Sequence, residues 1–480
     1  MVRGDRRHGT GAFGRWFPVI LVLAILAGAL AAYRFDLGPR WFGTGEPDPD
    51  TEPAAVEPPS GLDLPALTRP AAVADPLPGG GTLSRQKVRR AVDRFLRDRD
   101  LGKSVHAVVA GLAQRPPALS VGADPAKPAS TTKLLTATAA LEALGPDHVF
   151  ETTVVRGGPG RVVLVGGGDP FLERRPASFD TWPREADVAT LARRTAAALK
   201  DRGPGKIRVG YDDSLFSGPA ENPHWRNDYV PDGVVSPITA LWVDEGRDAS
   251  GFGRVADPSA EAASEFARAL ERAGVKVVGR PSPEDAGADA KVLARATGVP
   301  LGQVVEQVLA VSDNEAAEVL ARHVGLVVAG KGSSAAGTDA VLATLRQLGV
   351  RTANAKVYDG SGLSRENRID PDTLVDVLRL ASSADQPDLR SVLTGLPVAG
   401  FTGSLTFRFD NAPEPGRGRV RAKTGTLTGV SALAGVATDL DGVPMVFALV
   451  ADRVKLRDTL EAQQTLDDLA AALGACHCSS

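Results

Sequence analysis

The amino-acid sequence predicts an α/β (α+β) fold in which one folded body is interrupted by an inserted α+β domain. Helical periodicity dominates the last third of the chain, which also contains three consecutive strand-like runs between residues 419 and 452. The middle of the chain alternates short apolar strands with two helices. With 480 residues, the chain is long enough for more than one domain. We expect the interrupted body at 84–150 and 291–475, and the insert at 151–290.

Three segments precede this folded part. Residues 1–16 are basic, and the apolar run after them predicts a signal anchor or a cleaved signal peptide at 17–33. The basic segment is expected to stay in the cytoplasm, so either alternative carries the rest of the chain to the outer side of a membrane. Residues 34–83 are rich in proline, glycine and acidic side chains, which predicts a flexible linker.

Local signals predict the elements of the first part. Ser84 is a good N-cap for the segment RQKVRRAVDRFLRD, and the apolar, β-branched run at 104–113 predicts a buried strand. A second helix begins at Ser130 and is closed by Gly145-Pro146, because glycine and proline end helices.

The insert and the last part follow from the same signals. In the insert, FETTVVRGG, GRVVLVGGGDPFL and KIRVGYDDSLF predict strands, two helices are expected at 188–199 and 259–274, and a long loop is expected at 217–246. In the last part, Asp370 and Pro371 provide a helix start. Its helices are expected at 301–311, 315–323, 337–348, 371–382 and 457–473.

Composition argues against several classes of function. The net charge is −3 and no basic stripe is present, so no nucleic-acid partner is expected. None of the six histidines neighbours a candidate catalytic residue and no His-Glu-x-x-His pattern occurs, which argues against a Ser-His-Asp hydrolase or a zinc peptidase. The two cysteines, Cys476 and Cys478, flank a histidine at the C-terminus, where we expect a frayed tail, with a metal site as the alternative.

Two Ser-x-x-Lys tetrads occur, starting at Ser84 and Ser130, and a chain of this length contains roughly two such matches by chance. Helix capping explains the first. In the second, Lys133 lies one helical turn after Ser130, and the apolar residues that follow predict a buried helix. Burial lowers the pKa of a lysine, and a neutral amine is a competent general base. Ser130 is therefore a candidate nucleophile.

Two further motifs follow in the chain. Ser312-Asp313-Asn314 falls between two predicted helices, where an ordinary N-cap is the alternative to a functional role. Lys423-Thr424-Gly425 falls within a predicted strand, and an edge strand with one solvated lysine is the alternative there. Glycine at 425 removes the side chain that would block a ligand lying along the strand.

Ser-x-x-Lys, Ser-x-Asn and Lys-Thr-Gly in this order form the motif set of penicillin-binding proteins and class A β-lactamases. From about residue 85 to 473 the chain resembles the low-molecular-mass class C penicillin-binding proteins, the D-alanyl-D-alanine carboxypeptidase/endopeptidase family. GGGDPFL, VSPITALWVDEG and YDGSGLSRENRI are also similar to segments of that family. The resemblance implies a penicillin-binding/β-lactamase-like catalytic domain with an antiparallel sheet between helices.

The resemblance also implies an activity without a cofactor. The substrates would be peptidoglycan stem peptides, β-lactams would be inhibitors, and the enzyme would act on the cell-wall side of the plasma membrane. The catalytic residues would be Ser130 as nucleophile, Lys133 as base, Ser312 as proton relay, Asn314 on the substrate backbone and Lys423 as a positive charge. The substrate-binding residues would be Thr424, Gly425, Thr426, Arg365 and Asp169, with a surface position for Arg365 and a turn role for Asp169 as alternatives.

The chain departs from longer family members at one place. Residues 245–247 are followed within a few residues by the predicted helix at 259–274, so a further small module nested in the insert is missing or reduced to a loop. Two other functions remain as alternatives. One is a catalytically silent peptidoglycan-binding module of the same fold. The other is a β-lactamase, although no candidate for the deacylating glutamate loop of class A enzymes is visible.

Overall fold

An antiparallel sheet between two layers of helices forms the centre of the folded chain. The computed structural model describes residues 81–480 with the exception of 123, 178–184, 201–204, 249, 411 and 413–415. The predicted cytoplasmic segment, signal segment and most of the linker therefore lie outside the described residues. Within those described, no helix is both long and apolar enough to cross a membrane.

The described residues contain strands in two sheets. The strands are β1 Val105–Gly111, β2 Leu119–Val121, β3 Glu151–Gly158, β4 Arg161–Val165, β5 Lys206–Asp212, β6 Lys276–Val277, β7 Ser282–Pro283, β8 Val292–Thr297, β9 Val420–Leu427, β10 Val430–Thr438 and β11 Pro444–Ala451. The helices are α1 Arg85–Leu96, α2 Lys133–Leu144, α3 Val188–Lys200, α4 Pro258–Arg272, α5 Leu301–Val311, α6 Asn314–Ala329, α7 Ser334–Gln347, α8 Pro371–Ala381, α9 Ser391–Thr394 and α10 Thr459–Gly474.

The first sheet has the strand order β2-β1-β11-β10-β9, and all of its neighbours are antiparallel. Successive side chains of a strand point to opposite faces. In β1, Val108 and Ala110 pack with α2, α5, α6 and α8, whereas Ala107 and Val109 pack with α1 and α10. Both faces are therefore covered, and the predicted antiparallel sheet between helices is confirmed.

The second sheet is mixed. Its main order is β6-β5-β4-β3-β8, with antiparallel pairs around β3 and parallel pairs around β5. Helices α3 and α4 cover it with their apolar sides. Strand β8 pairs with β3 although it lies beyond residue 290. The division at 150 and 290 stays a prediction, and this pairing favours an insert that ends near Thr297.

Most predicted elements have close counterparts. Helix α5 spans the predicted range 301–311, and α6 continues past the predicted end to Ala329. The connection from Gly246 to Pro258 is a loop in which Arg247 pairs with Arg254 across an isolated bridge. Strands β2, β6, β7 and β8 were not predicted, because the first three have only two or three residues. In addition, β6, β7 and β8 depend on partners that are distant in sequence.

The expected frayed C-terminal tail is wrong. The Cys478 carbonyl accepts a hydrogen bond from Ser84 N at 2.9 Å, and Ser480 N donates to Thr82 O at 2.8 Å. Cys478 is fully buried and forms a disulfide with Cys476. The tail is ordered because it pairs with the segment before α1. Over the described ranges, no group of three or more His, Cys, Asp or Glu side chains is arranged to hold a metal ion.

Candidate active site

Ser130 lies in a short 3-10 helix, Ala129–Thr132, directly before α2. Its backbone is held by close contacts on two sides. A β-carbon at Gly362 would lie 2.0 Å from Ala129 O, and one at Gly425 would lie 2.7 Å from Pro128 O. Only glycine permits this approach. The serine is therefore placed by a tightly packed backbone.

Lys133 is fully buried at the start of α2. Its Nζ donates to Ser130 Oγ at 3.2 Å, to Asn314 Oδ1 at 2.8 Å and to Ser361 O at 2.8 Å. Burial lowers the pKa of Lys133 to about 8, although several nearby carboxylates oppose the shift. About a tenth of the amine is therefore neutral at pH 7, far more than for a lysine in water, and this neutral form can accept a proton.

Ser312-Asp313-Asn314 forms the turn between α5 and α6. Ser312 adopts a left-handed backbone conformation with φ of 66°. Asp313 is the N-cap of α6 and accepts a hydrogen bond from Ala316 N at 2.9 Å. The cap uses Asp313 alone, which leaves Asn314 free to contact Lys133 through Oδ1 and to donate from Nδ2 to Val234 O at 3.0 Å.

Lys423 lies on β9, the edge strand beside the Ser130 segment. The solvated lysine considered as an alternative is not found, because Lys423 is fully buried. Its Nζ donates to Thr424 O at 3.0 Å. Burial, and then the charge of Lys133, hold the pKa of Lys423 well below its usual range.

The hydroxyl groups of β9 have partners outside the three motifs. Thr424 Oγ1 lies 3.0 Å from Ser404 Oγ, and Thr426 Oγ1 accepts a hydrogen bond from Gln463 Nε2 at 3.2 Å. Sequence reasoning missed Ser404 and Gln463, because no local pattern marks a residue whose contact is with a distant strand.

Residues of the first two motifs, together with the residue that follows the third, line one open cavity of about 460 Å³. Four predicted site residues line it, namely Ser130, Ser312, Asn314 and Thr426. The other lining residues were not predicted in this role. They come from the long loop before α4, from the segment around Leu363 and from the end of β9, and they are Arg226, Asp228, Tyr229, Asp232, Val234, Leu363, Leu427 and Thr428.

Arg365 and Asp169, the two candidates for which a structural role was the alternative, lie in different places relative to the cavity. Arg365 donates to Thr428 O at 2.8 Å, which places it at the rim of the cavity. Asp169 is buried and does not line the cavity, and its Oδ1 accepts a hydrogen bond from Phe171 N at 3.0 Å. This contact is the one expected of a turn-stabilising aspartate. Burial raises the pKa of Asp169 to about 7.

Several known proteins are similar to this chain in sequence or in fold. A carboxypeptidase of Mycobacterium tuberculosis is 35% identical over 413 residues, covering 83% of this chain and 86% of the relative. A D-alanyl-D-alanine carboxypeptidase of an Actinomadura species is 31% identical over 402 residues, covering 68% and 74%. The crystal structure of penicillin binding protein 4 from Haemophilus influenzae has a TM-score of 0.65 at 22% identity, covering 79% and 98%.

The family comparison covers nearly all of the described chain. Residues 88–252 and 247–473 match the model of the D-Ala-D-Ala carboxypeptidase 3 (S13) family. The extent of this match and the similarity of the two curated relatives lead to one conclusion. The chain belongs to the D-Ala-D-Ala carboxypeptidase 3 (S13) family.

Proposed function

We propose that this chain is a serine D-alanyl-D-alanine carboxypeptidase and/or D,D-endopeptidase that acts on peptidoglycan stem peptides through an acyl-enzyme on Ser130. One observation carries the proposal: the buried amine of Lys133 lies 3.2 Å from Ser130 Oγ at the edge of an open cavity. A nucleophile within hydrogen-bond reach of a base is the arrangement that covalent catalysis requires.

In acylation, Ser130 Oγ attacks the carbonyl carbon of the penultimate D-alanine while its proton moves to Lys133 Nζ. The negative oxygen of the tetrahedral intermediate is stabilised by the backbone N–H groups of Ser130 and Thr426. The peptide bond then breaks, and Ser312 relays a proton to the amine of the departing D-alanine. Water hydrolyses the resulting ester and restores Ser130.

The remaining candidates bind the substrate. Asn314 hydrogen-bonds the peptide backbone, and the hydroxyls of Thr424 and Thr426 hold the terminal carboxylate beside β9. Gly425 leaves room for the peptide along the strand. The carboxylate favours the protonated form of Lys423, because an opposite charge raises the pKa of an amine. Arg365, at the rim, contacts the side chain of the stem peptide.

The place of action follows from the N-terminal prediction. A signal anchor or signal peptide at 17–33 and a linker at 34–83 would deliver the catalytic part to the cell-wall side of the plasma membrane. A protease-accessibility assay on intact cells tests this. Cleavage of the catalytic part from the outside supports it, and protection until the cells are lysed contradicts it.

The direct test is release of D-alanine from a peptide ending in D-alanyl-D-alanine by the full chain. We expect release by the wild type and by Ser84→Ala, and none by Ser130→Ala. The same peptide with an L-alanyl-L-alanine end is the substrate control. A cross-linked stem-peptide dimer in a parallel assay measures endopeptidase activity.

Two alternatives are separated by adding penicillin. Fast hydrolysis of penicillin without D-alanine release would indicate a β-lactamase. A folded protein that shows neither D-alanine release nor acylation would indicate a silent binding module. A long-lived acyl-enzyme together with D-alanine release is the result that we predict.

A further inference from the structure

Glu318 is a buried carboxyl group that the proposed mechanism does not use. It lies on α6, is 1% exposed and follows Asn314 by four residues. Residues four apart share a helix face, so Asn314, Glu318 and Arg322 form a polar row on a helix that is otherwise packed into the core. An isolated buried charge is costly, and such a group needs a structural or functional reason.

Glu318 is connected to Lys133, the proposed base, through the backbone of Ser361. Its Oε1 accepts a hydrogen bond from Ser361 N at 2.8 Å. The carbonyl oxygen of the same residue accepts from Lys133 Nζ at 2.8 Å. One residue of backbone therefore links the carboxylate to the amine, and the amine in turn contacts Ser130 Oγ. This path involves no atom of the three sequence motifs other than Ser130 and Lys133.

Two charged side chains near this path, Asp359 and Arg322, have hydrogen-bond partners of their own. Asp359 accepts hydrogen bonds from Gly362 N, Ser364 N, Trp225 Nε1 and Asn367 Nδ2. The Arg322 guanidinium is bound to the carbonyls of Ser217, Gly332 and Pro219. The charged groups that act on Lys133 and Glu318 from the elements around them are Asp313, Glu315, Asp359, Arg322 and Lys423.

Electrostatics agree with the geometry. Burial, and then the charge of Asp359, raise the pKa of Glu318 to about 7, while hydrogen bonds from the backbone of Gly360 and Ser361 oppose the rise. The negative charge of Glu318 also favours a proton on Lys133. Near neutral pH both groups are close to their titration range, so each responds to the charge of the other.

We propose that Glu318 is a positioning residue for the general base: its carboxylate holds the Ser361 carbonyl against Lys133 Nζ and stabilises the proton that this amine receives during acylation. The inference rests on the proposed function of Lys133. Glu318, a residue outside the three motifs, thereby fixes the position of Lys133 Nζ and the pH range in which Lys133 acts as a base.

Glu318→Gln in the full chain tests this, with the second-order rate of acylation by a fluorescent penicillin measured from about pH 5 to about pH 9. The amide keeps the size of the side chain and an oxygen that can accept from Ser361 N, but it loses the charge. We expect the acylation rate at the optimum pH to fall by about tenfold. We also expect the acidic limb of the pH–rate profile, the range over which the rate rises with pH, to move to lower pH by about half a unit or more. The reason is that removing a negative neighbour lowers the pKa of an amine.

Glu142→Gln is the matched control. Glu142 is exposed on α2, the helix that begins with Lys133, and the change removes the same charge without touching the path. We expect its rate and acidic limb to equal those of the wild type. A limb that is unchanged in folded Glu318→Gln would overturn the proposal, because a purely structural role alters stability and not the titration of the base.

Glu318→Asp keeps the test decisive if the glutamine variant does not fold. It retains the charge but shortens the side chain by one methylene, so we expect a lower rate with the acidic limb at the wild-type position. A displaced limb in this variant would contradict the proposed role of the charge. Failure of the wild type to react with penicillin would instead remove the proposed function itself, so the two failures are distinguishable.

Discussion

The two Ser-x-x-Lys tetrads of this chain share a pattern and differ in every contact. At the first, Ser84 Oγ accepts a hydrogen bond from Lys87 N at 3.4 Å, and Lys87 Nζ is exposed and donates to Ser479 O. At the second, Lys133 Nζ is buried and donates to Ser130 Oγ. The same spacing therefore produces a helix cap in one place and, in the other, a hydrogen-bonded serine and buried lysine, which we propose as nucleophile and base.

The helices that carry the two tetrads explain the difference. In α1 only Val88 and Val92 are fully buried, so Lys87 reaches solvent. In α2 every residue from Lys133 to Leu141 is buried. A lysine amine in water stays charged, whereas one enclosed by core has a lowered pKa and can act as a base. Burial decides the chemistry, and the tetrad alone does not.

Replacing the two serines should give the largest contrast. Ser130→Ala removes the attacking oxygen, so we expect complete loss of acylation by a fluorescent penicillin. Ser84→Ala removes a cap far from the cavity, and we expect an unchanged acylation rate. Covalent labelling followed over time measures both. Equal labelling of the two variants would contradict the distinction between the tetrads.

Replacing the two lysines should give the next largest effect. Lys133→Met keeps an unbranched chain and removes the base, and we expect the acylation rate to fall by about a thousandfold. The free energy of unfolding should change little, because relief from desolvating the amine offsets the loss of its hydrogen bonds to Asn314 Oδ1 and Ser361 O. Lys87→Met should leave the rate within about twofold of the wild type. A similar loss in both variants would refute the account.

The pH dependence of acylation should reflect Lys133 and not Lys87. Only the neutral amine accepts the proton from Ser130. Because the pKa of Lys133 is lowered to about 8, the rate should rise about tenfold per pH unit below this value and level off above it. Acylation rates measured over this pH range test this, with circular dichroism at each pH to verify that the protein remains folded. A rate that falls as the pH rises through this range would exclude a neutral lysine base.

Adding a side chain beside the backbone of Ser130 should be more harmful than adding one at a glycine with no close neighbours. A β-carbon at Gly425 would lie 2.7 Å from Pro128 O, so Gly425→Ala must displace the segment that carries Ser130. We expect an acylation rate about tenfold lower and a loss of about 2 kcal/mol in stability. Gly287→Ala is the control, since nothing lies within 4 Å of its added β-carbon. Equal behaviour of the two variants would show that the approach of β9 is not restrictive.

The smallest effect is expected at the first tetrad. Ser84→Ala should lower the free energy of unfolding by about 1 kcal/mol, because the N-cap hydrogen bond to Lys87 N is lost. Ser130→Ala should cost less, since Ser130 Oγ caps no helix. Denaturant unfolding of the two variants and the wild type measures this order. The reverse order would assign the structural role to the wrong serine.

Sequence patterns predicted the parts of the fold and site that depend on local chemistry. Helix α5 ends where Ser312 begins the predicted turn, and β9 carries the predicted Lys423. Two features required the tertiary structure. Ser361 contacts Lys133 through its backbone carbonyl, and the residue type does not reveal such a contact. Glu318 cannot be distinguished in the sequence from an exposed glutamate, because its burial depends on the tertiary structure.

Long-range pairing accounts for the other differences. The tail was expected to fray, because nothing in residues 476–480 shows that they pair with the start of α1 across the whole chain. Strand β8 was missed for the same reason, since its partner β3 lies far earlier in sequence. Periodicity and capping act over a few residues, whereas these contacts depend on how distant segments meet.

The most direct test of the central claim is the location of the covalent label. The full chain is incubated with a fluorescent penicillin, and intact-mass and peptide mass spectrometry identify the modified residue. We predict one acyl group, attached to Ser130, that is absent in Ser130→Ala and present in Ser84→Ala. A label at Ser84, or no label on folded protein, would contradict the account and leave Ser130 as an ordinary residue at the start of a buried helix.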